Sequence, residues 1–78
     1  GDQRLTNAWK QAAGEKIAGQ TTVMGIKNRV VQVGVENSAL LNELNSFHKK
    51  SLLTKLQQEY GKQDVREIKF RLKSKANK

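Results

Sequence analysis

The chain contains no cysteine and no proline, a single histidine, and only one Trp, one Tyr and two Phe. Without cysteine there is no disulfide framework and no thiolate metal site, and nothing points to an oxidising compartment. The fold must rest on packing alone. At 78 residues and 36% hydrophobic content, that means one small domain with a modest core, near the size at which a single core is marginal but can fold alone. No stretch approaches the roughly 20 apolar residues needed to span a bilayer, and no signal-like apolar core follows the amino terminus. A membrane is therefore not among the expected partners. Gly1 stands where an initiator Met would, the expectation for a segment excised from a longer protein with flanking residues of its own.

The chemistry of catalysis is equally thin. His48 has no carboxylate at metal-ligand spacing, so no metal is expected. Ser46 and Ser51 lie near it in sequence, but a local Ser and His on a helix do not make a nucleophile and its base. Glu36, Glu43 and Glu59 are dispersed. Four residues separate Gly14 from Gly19, yet no Lys followed by Ser or Thr comes after Gly19 as a phosphate loop requires. The expectation is a non-enzymatic protein without a cofactor.

What the chain does have is positive charge, placed to one side. From Lys49 to Lys78 there are ten Lys/Arg against three acids, which accounts for +7 of the formal net charge of +8. Such asymmetry points to a polyanion, and nucleic acid is the leading candidate.

The hydrophobic pattern divides the chain into five elements. Leu5, Ala8, Trp9, Ala12, Ala13 and Ile17 recur at helical spacing and predict a helix over 4–18, with Gly14 as a possible kink, break or close approach. Strands are predicted over 21–27 and 30–36, with Val31, Val33 and Val35 on one face. Lys27-Asn28-Arg29 joins them in a basic hairpin tip, since Asn tolerates the left-handed conformation of a tight turn. Asn37 or Ser38 caps a second helix running to Tyr60, with Gly61 as its stop. Its apolar stripe (Leu40, Leu41, Leu44, Phe47, Leu52, Leu53, Leu56, Tyr60) swings round the helix, so it either buries two faces or breaks near Phe47–Ser51. No Gly or Pro forces a break there, and one continuous helix is expected. A last strand spans 65–73, with Ile68, Phe70 and Leu72 inward. Residues 1–73 make the domain, and 74–78 form a disordered basic tail. The fold class is α+β in the order α-β-β-α-β: a three-stranded sheet with both helices on one face.

The other face of that sheet is the candidate binding surface. Lys69, Arg71 and Lys73 alternate outward about 6.6 Å apart, comparable to the spacing of successive phosphates. Arg66, Lys27 and Arg29 join this set, and Lys49 and Lys50 supply charge in mid-helix. A solvated face kept soluble by lysines accounts for the same residues, and edge lysines also discourage strand pairing. Trp9 and Phe70 are assigned to the core, which leaves no interleaving of exposed aromatics with bases and implies electrostatic, sequence-tolerant binding. The displaced stripe of Leu53, Leu56 and Tyr60 is the candidate surface for a protein partner.

Taken in order, several short motifs resemble one family. They are Trp9-x4-Gly14 with Ile17-Ala18 and Thr21-Thr22; Val31-Gln32-Val33-Gly34-Val35 with Ser38-Ala39 and Glu43-Leu44; and Leu52-Leu53-x2-Leu56, Tyr60-Gly61 and Val65-x2-Ile68-x-Phe70. Together they cover about residues 5–72 and resemble the bacterial DciA-like replicative-helicase loaders. The resemblance implies a truncated KH-like fold, although the Gly-x-x-Gly clamp of a full KH domain is absent. It also implies binding to single-stranded DNA and to a DnaB-type helicase, and the expectation is a cytoplasmic, nucleoid-associated monomer. Two positions depart from the family: Val23 follows the Thr pair where many members have Pro, and Leu40 stands where many have an aromatic. Two rivals remain. One is a KH-like RNA-binding or ribosome-associated module, and the other is a pure protein-interaction domain.

Overall fold

A computed structural model describes residues 3–73, so the expected tail at 74–78 lies outside the described residues. Helix α1, Gln3–Ala13, buries Leu5, Ala8, Trp9 and Ala12 along one stripe, as the spacing dictates. The single helix expected over 4–18 is in fact two, because Gly14 leaves helical geometry with φ 88° and ψ 162°. Only glycine adopts that conformation without strain. A Cβ there would meet nothing within 4 Å, so the demand is on the backbone and not on space. One further turn, α2 (Glu15–Ala18), returns the chain toward the sheet.

Strands β1 (Thr21–Lys27) and β2 (Val30–Val35) form an antiparallel hairpin whose register slips between Val23 and Gly25, leaving Met24 as the additional residue of a bulge. The turn residues Asn28 and Arg29 have φ of 53° and 67°, the doubly left-handed geometry that matches strand twist in a two-residue hairpin. Strand β3, Glu67–Leu72, lies parallel to β2, which is therefore the central strand in the order β1-β2-β3. It is shorter than the expected 65–73: Val65 is buried in the preceding loop, and Lys73 follows the strand with its N–H donating to the Val35 carbonyl at 2.8 Å. Leu72, expected inward, is 56% exposed, because it ends an edge strand where the chain leaves the sheet.

Between β2 and β3 the chain is helical from Ser38 to Tyr60, but not uniformly α. The Asn37 side chain accepts the Leu40 N–H at 2.7 Å and caps α3, Ser38–Glu43. A π-helical turn spans Leu44–His48, and α4 runs Lys49–Tyr60. The π turn absorbs one residue per turn beyond the α repeat. In a regular α-helix Leu52 would lie about 80° from Leu44; with one residue absorbed it lies within about 20°. Leu44, Leu52, Leu56 and Tyr60 therefore share one buried face. The swing in the stripe is resolved by an insertion that needs neither Gly nor Pro.

That face and the α1 stripe cover the same side of the sheet. Leu5, Trp9, Leu44 and Leu56 enclose Val31, Val33, Val35 and Ile68, and the rings of Trp9 and Phe70 are 6.1 Å apart. Full burial of each large apolar side chain contributes about 1.5–3 kcal/mol. Two polar links reinforce this packing, one from helix to sheet and one from helix to helix. Trp9 Nε1 donates to Thr21 Oγ1 at 2.8 Å, and that hydroxyl donates to the Ile17 carbonyl at 2.8 Å. Arg4 Nη2 donates to the Tyr60 carbonyl at 2.7 Å, with its guanidinium 4.2 Å from the Tyr60 ring centre. The result is a mixed three-stranded sheet with helices, in the α-β-β-α-β order of an α+β fold. No helix among the described residues is long and apolar enough to cross a membrane.

Candidate nucleic-acid interface

Alternation along β3 sends Ile68 and Phe70 into the core and leaves Lys69 and Arg71 exposed on the side of the sheet away from the helices. In register they lie beside Gln32 and Gly34 of β2. Lys73 continues the row, its stem drawn back over Gly34 so closely that a Cβ at that glycine would come within 2.9 Å of it. Gly34 is thus the slot in which Lys73 rests.

The hairpin tip is fastened to the loop ahead of β3. Arg66 N–H donates to the Arg29 carbonyl at 2.8 Å, and Arg66 Nε donates to the Asn28 carbonyl at 3.1 Å. Arg29 Nε in turn donates to the Gln63 carbonyl at 3.0 Å. These bonds hold Arg66 beside Lys27. From the helical layer, Lys49 at the start of α4 approaches Glu67, with 3.6 Å between Nζ and the carboxylate.

Lys27, Lys49, Arg66 and Lys69 thereby converge on one open depression of about 340 Å³, with Gln32 in its wall and Glu67 as its only acid. Sequence reasoning nominated these four cations separately, from a turn, a helix and a strand, and the fold brings them together. Lys50 adjoins them in a second groove of about 400 Å³ that shares Lys49, Arg66 and Glu67 with the first. Arg71 and Lys73 extend the face along the strand, whereas Arg29 is engaged with Gln63 behind the tip. Among the described residues no charged side chain is buried, so these cations meet solvent and their fields are screened by salt.

Two expectations need correction. Leu56 and Tyr60 are 0% and 9% exposed and belong to the core, because the π turn brings them into line with Leu44; they are not a surface for a partner. Leu53 is partly buried against the same core and contributes only its edge to the second groove. Conversely, Phe47 was counted in the apolar stripe and is 77% exposed in that groove. The absence of an exposed aromatic among the bases, inferred from the sequence, therefore does not hold. The one available signal was the swing of the stripe at Phe47, which marked the place but not the direction.

The arrangement offers lysine point charges and two guanidinium groups, Arg66 and Arg71, to an extended anion. No group of three metal-ligating side chains occurs among the described residues.

The profile of the family described as Dna[CI] antecedent, DciA, matches residues 1–70. No curated protein matches the chain significantly. With that match covering nearly its whole length, the chain belongs to the DciA family, as the ordered motifs implied. Membership implies a role in loading the DnaB helicase, in a family of loaders and accessory proteins rather than of catalysts.

Proposed function

We propose that this DciA-family chain is a non-enzymatic replication accessory protein that holds the backbone of single-stranded DNA on its basic sheet face during loading of the DnaB helicase. One observation carries the reading: four cations, from three separate elements and the loop ahead of β3, converge on a single open depression beside only one acid. Phosphates placed there meet charge without base-edge readout, so binding should be strongly salt-dependent and tolerant of sequence. Arg71 and Lys73 give the strand a direction in which to continue, along β3.

The test is titration of single-stranded DNA, duplex DNA and RNA at several salt concentrations. With four cations and one acid around the depression, a strand engaging only that region would neutralise about three phosphates. The slope of log K against log salt would then be about −2.1, or about 20-fold weaker binding at 200 mM than at 50 mM. Charge reversal at Lys27 and Lys69 together turns the local charge from +3 to −1 and should abolish binding there, whereas neutralising both to Gln should bring the slope toward about −0.7. Stronger binding to RNA than to DNA would favour the RNA-binding alternative. Negligible affinity near 50 mM salt, with no response to the reversal, would leave a protein-interaction domain. Co-purification with a DnaB-type helicase, before and after the same reversal, tests whether the partner uses a different face.

A further inference from the structure

Phe47 is the only exposed Phe, Trp or Tyr among the described residues; Trp9, Tyr60 and Phe70 are all buried. It sits in the π turn, the one segment of the Ser38–Tyr60 path that departs from α geometry. Such turns are rare and recur at functional sites. Its groove is lined by Lys49, Lys50, Leu53, Arg66 and Glu67, and it runs into the basic depression through the shared Lys49, Arg66 and Glu67. An aromatic face within reach of three cations is the pairing that single-stranded nucleic acid requires: a platform for a base and charge for the phosphates beside it.

We infer that Phe47 is the stacking platform for an unpaired base of a single strand whose backbone crosses Lys49, Lys50 and Arg66. The inference rests on the nucleic-acid reading of the basic face and adds strand selectivity to it. Phosphates of duplex and single strand look alike to lysines, whereas the bases of a duplex are already stacked on one another and cannot cover the ring. Asn45 and Ser46 also line the groove, but stacking on the ring itself needs only a base's flat face, which every base has, in keeping with sequence-tolerant binding.

Phe47→Ala and Phe47→Trp test this by fluorescence anisotropy with an oligo-dT strand, an abasic strand of the same length, and a duplex, at about 50 mM salt. Exposure at this position makes either substitution compatible with folding. Phe47→Ala should weaken oligo-dT binding by about 5- to 150-fold, the range of one base–aromatic stack. It should leave the abasic strand, the duplex and the salt slope unchanged, because no cation is removed. Phe47→Trp should retain or tighten oligo-dT binding. Equal loss on the oligo-dT and abasic strands, or no loss on either, overturns the inference. So does loss of helicase co-purification with nucleic-acid binding intact, which would make the groove a protein contact. If wild type binds no oligonucleotide at low salt, the broader reading fails and this one with it. If Lys27/Lys69 reversal abolishes binding while Phe47→Ala does nothing, only the stacking role falls.

Discussion

Glu67 is the one acid among the cations of the proposed interface, and removing its charge should strengthen nucleic-acid binding rather than weaken it. Its carboxylate is 3.6 Å from Lys49 Nζ and lines both the basic depression and the adjoining groove. Glu67→Gln keeps the side chain's length and removes its negative charge, leaving Lys49 free to face a phosphate. One additional phosphate neutralised steepens the salt slope by about 0.7 for a single strand. If the two proteins bind alike near 1 M salt, where the electrostatic contribution has faded, the variant would be about 5-fold tighter at 0.1 M. The cost to folding should be small. Both partners are substantially exposed, at 37% and 49% of side-chain area, and such ion pairs contribute only about 0–1 kcal/mol. Anisotropy titrations of single-stranded DNA at four or five salt concentrations, alongside thermal melts, separate the two effects. Unchanged affinity with unchanged slope would mean that no phosphate approaches Lys49, and the depression would no longer be the centre of the interface.

Thr21→Val should destabilise the protein while leaving nucleic-acid binding alone, because it leaves the buried Trp9 indole N–H without its acceptor at 2.8 Å. The expected cost is about 1–3 kcal/mol, or about 4–8 °C of melting temperature per kcal/mol, and it should largely vanish in a Trp9→Phe background. Arg4→Lys keeps the charge but loses the planar group that both stacks on Tyr60 and reaches its carbonyl at the carboxyl end of α4. A loss of about 1 kcal/mol in thermal or denaturant melts is expected, and an unchanged midpoint would show that the contact does not hold α1 to α4.

The sheet was legible because its signal is local. Val31, Val33 and Val35 alternate without interruption, Asn28 marks the turn, and Ile68 and Phe70 repeat the same period, so the strands, their inward faces and the exposed row of Lys69 and Arg71 followed from phase, whereas the central place of β2 did not. Gly14 was legible as a position but not as an outcome: kink, break and close approach all fit a glycine there, and only its φ of 88° selects the break. The convergence of Lys27, Lys49, Arg66 and Lys69 was not legible. It depends on the hairpin tip being bonded to the loop before β3, through carbonyls of Asn28 and Arg29 that any residue would supply. Backbone acceptors carry no sequence signature.

The π turn shows why the partner-facing stripe was misplaced, and it joins core to surface. Two demands meet between Leu44 and Leu52. The core requires Leu44, Leu52, Leu56 and Tyr60 on one face, yet eight residues separate the first two, one more than two α turns accommodate. Either the helix breaks, or one residue is absorbed. With no Gly or Pro to break it, the helix widens, and the residues of the widened turn can no longer follow the core stripe. Phe47 is therefore exposed as a direct consequence of Leu56 and Tyr60 being buried, and Lys49 and Lys50, which follow the turn, are set beside it at the rim of the basic face. Moving the stripe back to a regular α phase would turn Phe47 toward the core and Leu56 away from it. The groove and the core are thus two results of the same inserted residue.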